Sequence, residues 1–96
     1  KYFKKAIKLA PKDAKAYCGL GLALSQKGKH KEAIKNMKKA LKLEPEDSVD
    51  YQIYAMILEN KGDLKGALKQ YRRSDALHKN PQIEWEIAKL KALIED

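Results

Sequence analysis

The chain has 96 residues, 44% of them hydrophobic and 35% charged, with five glycines and three prolines. That balance suits one small globular domain and is too apolar for a disordered tail. No run of about eighteen apolar residues exists to span a membrane, and a single cysteine excludes an internal disulfide. The opening residues, Lys1-Tyr2-Phe3-Lys4-Lys5, offer neither an initiator Met nor the apolar stretch of a signal peptide. The expectation is an excised piece of a longer protein, with the cytoplasm as the default compartment. The net charge of +8 lies in the first half, since residues 1–47 hold 13 Lys against 5 acidic residues and residues 48–96 are neutral. Such asymmetry points either to an anionic partner or to a well-solvated surface.

In chain order, Tyr17, Leu20, Ala23 and Leu24 recur at helical spacing before Lys27-Gly28-Lys29 breaks the run. A second helix carries Ala33, Ile34, Met37, Ala40, Leu41 and Leu43 on one side and ends before Pro45. Asp47 or Ser48 caps the next helix, which turns Tyr51, Tyr54, Ala55 and Leu58 inward and closes at Gly62. Leu64, Ala67, Leu68, Tyr71 and Ser74 form the following one, and Asn80 with Pro81 opens the last.

These elements repeat. Sliding the chain by 34 residues brings Ala33-Ile34-Lys35 onto Ala67-Leu68-Lys69, Lys27-Gly28 onto Lys61-Gly62, and Tyr17 onto Tyr51. Ala6-Ile7-Lys8-Leu9-Ala10-Pro11 likewise meets Ala40-Leu41-Lys42-Leu43-Glu44-Pro45. A fixed period of this size with two helices and no strand indicates stacked helical hairpins rather than one closed core.

With these positions the chain resembles the tetratricopeptide repeat family. Residues 14–47 fit its pattern through Tyr17, Leu20, Gly21, Gly28, Ala33, Met37, Ala40 and Pro45, with Leu24 where the family has Tyr. Residues 48–81 fit through Tyr51, Tyr54, Ala55, Leu58, Gly62, Ala67 and Tyr71, but Ser74 stands where Ala is usual. The resemblance implies one all-α domain over residues 1–96, a right-handed solenoid of helical hairpins. It comprises a partial repeat (1–13, a second helix without its first), two full repeats (14–47 and 48–81) and a terminal helix (82–96).

The register of the last helix has two readings. A strict 34-residue period puts Trp85 in the aromatic place of a new first helix, with Ala88 and Ala92 inward. A two-residue insertion before Pro81 instead puts Ile87, Leu90 and Ile94 on the core face, which is chemically better and is preferred. Glu84, Glu86, Lys89, Lys91, Glu95 and Asp96 then keep the other faces wet.

Catalytic chemistry finds no foothold. His30 and His78 belong to different repeats with no metal-ligand spacing around them, and Gly19-Leu20-Gly21 lies within a helix. Cys18 lacks a neighbouring His and reads as a small residue lining a helix surface. Glu44, Glu46 and Asp47 flank a proline turn and serve helix capping. Neither an enzyme nor a cofactor or metal site is expected.

Two surfaces remain. The resemblance places Lys15, Cys18, Gly19, Leu22, Ser25 and Gln26 from one repeat on the concave face, joined by Val49, Gln52, Ile53, Met56, Glu59 and Asn60 from the next. Val49, Ile53 and Met56 form an i, i+4, i+7 apolar stripe that needs a cover, so the expected function is docking of a partner peptide or helix. Some family members bind acidic chaperone tails through basic groove residues; here Lys15 is the only matching charge, a departure that argues against that ligand. On the outer side, Lys1, Lys4, Lys5 and Lys8 recur as Lys35, Lys38, Lys39 and Lys42, and Lys69, Arg72 and Arg73 continue the ladder. That convex face is an alternative site for nucleic acid or another polyanion. Self-assembly into a homo-oligomer through the exposed repeat ends is a further alternative.

Overall fold

The computed structural model describes Lys4 and residues 13–95. Five helices follow one another there: α1 Ala14–Gln26, α2 His30–Leu43, α3 Ser48–Lys61, α4 Leu64–Leu77 and α5 Pro81–Glu95. No strand occurs among the described residues, and no helix is long and apolar enough to cross a membrane. The lone second helix expected over residues 1–13, with Lys1, Lys5 and Lys8 of the ladder, lies almost wholly outside the described residues.

Local chemistry sets the boundaries. Asp13, Asp47 and Asp63 each precede a helix and accept from its free first-turn N–H groups: Lys15 N, Val49 N and Asp50 N, and Gly66 N respectively. Asn80 Oδ1 accepts from Gln82 N at 2.9 Å, with Pro81 at the first helical position. The turns inside the two hairpins share one device. Gly28 and Gly62 take positive φ (81° and 95°), and the N–H groups of Lys29 and Asp63 reach back to Leu24 O and Leu58 O, both at 2.9 Å. Only glycine adopts this backbone freely, and the reach-back bond absorbs an otherwise orphaned carbonyl at the helix end.

Each hairpin packs tightly on itself, α1 on α2 and α3 on α4, and α3 also touches both α1 and α2. Gly21 allows the first of these crossings: a Cβ there would stand 3.1 Å from the Ala33 carbonyl oxygen and 3.2 Å from Met37 Sδ. One core cluster holds Cys18, Leu24, Ala33, Met37, Ala40 and Ile57; the next holds Ala55, Leu58, Ala67, Tyr71, Ile83 and Leu90. Ile34 and Tyr54 pack against both, so the interior is continuous along the stack.

The last helix uses the insertion register for its core. Ile83 and Leu90 are buried and Ile87 packs against them, whereas Trp85 is 61% exposed and Ala88 and Ala92 are open to solvent. Ile83 adds a core position one turn earlier, while Ile94, the last of the expected trio, is half-buried and belongs to neither core cluster. Glu86 and Lys89 depart from the wet-face expectation: both are half-buried, because this side of α5 abuts α3 through Glu59.

Candidate functional site

Helices α1, α3 and α5 share one face, held together by polar ties. Near the amino ends of α1 and α3, Lys15 Nζ pairs with Asp47 Oδ2 at 3.5 Å. Near their carboxyl ends, Asn60 Nδ2 donates to Ser25 Oγ at 3.3 Å. Lys89 on α5 donates to Glu59 Oε2 at 3.3 Å and pairs with Glu86, while Tyr71 on α4 donates its hydroxyl to Glu59 Oε1. Glu86 and then Glu59 hold the Lys89 ammonium above the usual lysine range, and Asp47 raises that of Lys15. Burial, aided by the Glu59 charge, pushes up the Tyr71 phenol, which remains a donor.

Two depressions open on this face. One, of about 390 Å³, is lined by Gln52, Met56, Glu59 and Asn60 together with Tyr71, Gln82 and Glu86. The other, of about 200 Å³, is lined by Lys15, Cys18, Gly19, Val49, Asp50 and Ile53. Leu22 is half-buried and Gln26 exposed, and neither lines either of these two depressions.

Two residues expected as free groove contacts are otherwise engaged. Cys18 is 5% exposed and belongs to the first core cluster, its thiol against the Asp50 carboxyl. Burial, then the Asp50 charge, pushes that thiol up to about 12. Ile53 packs against the same cluster. The reason is helical geometry: Asp50, Ile53, Tyr54 and Ile57 fall on one side of α3, and that side meets the preceding repeat. The apolar stripe is therefore partly consumed, leaving Val49 at 51% and Met56 at 37% exposed.

The sequence reading missed Asp50, Tyr71, Gln82 and Glu86 in this site. A carboxylate in the first turn of a helix ordinarily reads as a wet residue favoured by the helix dipole. Asp50 is instead 1% exposed, and burial together with Asp47 raises its carboxyl to about 6. For Glu86 the two-residue insertion carried a signal, since it aligns Glu86 with Asp50 and Lys89 with Ile53 on the face shared by the first helices.

The opposite side carries the basic ladder. Lys35, Lys38, Lys39 and Lys42 on α2 and Lys69, Arg72 and Arg73 on α4 are all exposed, as is Lys4. None forms an ion pair among the described residues. Two of them stack at the 34-residue period, Lys39 Nζ 5.6 Å from the Tyr17 ring centroid and Arg73 Cζ 5.9 Å from that of Tyr51.

Residues 14–47 match the family model described as tetratricopeptide repeat. No curated protein sequence matches the chain. Among solved structures it is similar to YrrB, described as a tetratricopeptide repeat protein with an unusual peptide-binding site (TM-score 0.88, 21% identity, 99% of this chain and 50% of that one). It is also similar to a chain of Naa15/Naa10 bound to HypK-THB (TM-score 0.86, 22% identity, 96% of this chain and 14% of that one). A third is the N-terminal domain of stress-induced protein-1 from C. elegans (TM-score 0.80, 20% identity, 93% of this chain and 76% of that one). The chain thus spans half or less of two of these three relatives. Residues 14–47 are a tetratricopeptide repeat, and the described chain has the all-α tetratricopeptide-repeat fold.

Proposed function

We propose that this chain is a non-catalytic protein–protein interaction module that docks a partner peptide or helix on the shared α1–α3–α5 face. The observation that carries this reading is the pair of depressions on this face, one lined by the exposed Met56 and the other by the exposed Val49. Apolar side chains of the partner would bury against Val49, Met56 and the flank of Ile53, with Lys15, Gln52, Glu59 and Asn60 setting register. The peptide-binding site in the description of YrrB supports the same use of the fold.

The test is capture of proteins from the source lysate by the immobilised chain, with and without nuclease, compared with a Val49→Asp/Met56→Asp variant. Both positions are exposed, so helicity by circular dichroism should be unchanged while capture is lost. Undiminished capture by the folded variant would remove the groove from consideration. Ile53 is left intact because it supports the core.

A second reading is favoured by the seven described ladder cations on α2 and α4, none of which has an acidic partner among the described residues. This convex face would bind a polyanion such as nucleic acid, with affinity falling steeply as salt rises. Capture that vanishes with nuclease, and with Lys35, Lys38, Lys39 and Lys42 changed to Glu, would select it.

A further inference from the structure

We propose that the turn between α2 and α3 is a binding site for a hard divalent cation, with calcium as the best-fitting ion, held by Glu44, Asp47 and Asp50. One carboxylate oxygen from each of these residues lies within 4.8 Å of those of the other two. Calcium–oxygen bonds are about 2.3–2.6 Å long, so two oxygens on opposite sides of one ion stand roughly 5 Å apart. The three carboxylates therefore already stand close enough to share an ion. An all-oxygen donor set selects a hard cation over zinc or copper. Turn and solvent oxygens would complete the six to eight ligands that calcium takes.

A second observation separates this cluster from ordinary surface acids. Asp50 is 1% exposed, its carboxylate reaches into the cluster, and its Oδ2 has no hydrogen-bond donor, the Cys18 thiol being the one weak donor set against that carboxyl. Glu44 Oε1 is likewise a buried atom without a donor. An unpaired carboxylate oxygen out of water is costly, and three such groups together repel one another. A cation answers both penalties at once, which a cap alone does not.

The local structure prepares the site. Asp47 Oδ1 accepts from Val49 N at 2.9 Å and Asp50 N at 3.3 Å, fixing its side chain and occupying two N–H groups that would otherwise oppose a cation. Its Oδ2 pairs with Lys15, whose side chain is 70% exposed and free to swing into solvent as the ion arrives. Glu44 follows the end of α2, whose last carbonyls carry partial negative charge towards the turn. The ion would join the end of one repeat to the start of the next.

Isothermal titration of calcium chloride into the full chain, at about 0.1 M salt to screen its excess positive charge, tests this directly. Terbium luminescence excited through tyrosine gives an independent readout, because the Tyr51 hydroxyl donates to the Pro45 carbonyl of the same turn at 3.0 Å. The expected result is one ion per chain and a melting temperature raised by calcium. Asp50→Asn and Glu44→Gln should each weaken binding by about 10-fold or more. Glu84→Gln, on the exposed face of α5, should leave it unchanged. If circular dichroism shows that Asp50→Asn does not fold, Glu44→Gln alone decides. No binding at millimolar calcium, or binding that survives the folded variants, overturns the proposal.

Discussion

Ser74 Oγ donates a 2.7 Å hydrogen bond to the backbone carbonyl of Ser48, 26 residues away. Ser74 is fully buried on α4, at the place where the family pattern carries Ala. The hydroxyl thereby ties the end of one second helix to the start of its own first helix. Ser74→Ala should lower stability by about 1 kcal/mol, a drop in melting temperature of roughly 4–8 °C for a domain of this size. Ser74→Val should cost more, about 1–3 kcal/mol, because it loses the same bond and adds a methyl at a fully buried position. Thermal unfolding followed by circular dichroism distinguishes them; equal stability of all three chains would remove the bond's role.

Gly21 reports on the α1–α2 crossing. A Cβ there would meet the Ala33 carbonyl and Met37 within 3.1–3.2 Å. Ala at this position gains helix propensity, about 1 kcal/mol, against that crowding, so Gly21→Ala should be nearly neutral. Gly21→Val should lose about 1–3 kcal/mol, since a branched side chain forces the helices apart. Urea unfolding gives both values, and a stabilised Val variant would contradict the close approach.

Trp85 tests the register of α5. With 61% of its surface exposed, the single tryptophan should emit close to free indole in water and be readily quenched by acrylamide. Trp85→Ala should change stability by less than about 0.5 kcal/mol, whereas Leu90→Ala, fully buried, should cost about 2–5 kcal/mol. A blue-shifted emission that depends on protein concentration would instead show that another chain covers this face.

Cys18 should resist thiol reagents in the folded chain. Its sulfur is buried and its thiol pushed up to about 12, so almost no thiolate exists at neutral pH. Labelling by a disulfide reagent should track the unfolded fraction as urea is added. Rapid labelling of the native chain would show that α1 opens towards the groove.

Helix positions, caps and the 34-residue repeat were legible in the sequence because short-range chemistry sets them. Asp47 caps, Gly28 and Gly62 turn, and Tyr17 with Leu24 marks a face, whatever lies beyond them. What the pattern could not show is that a first helix meets three neighbours: its own second helix, the preceding repeat and the open groove. The period marks the first of these contacts, while the other two depend on how successive hairpins are rotated and stacked. Only the tertiary structure therefore decided that Ile57 and Ile83 are core, that Cys18 and Ile53 pack against the first core cluster as well as lining a depression, and that Glu59 ties Lys89 across the face. It also decided that Asp50, an ordinary first-turn carboxylate in the sequence, lies buried beside Glu44 and Asp47, because stacking of α3 on the preceding repeat removes it from water.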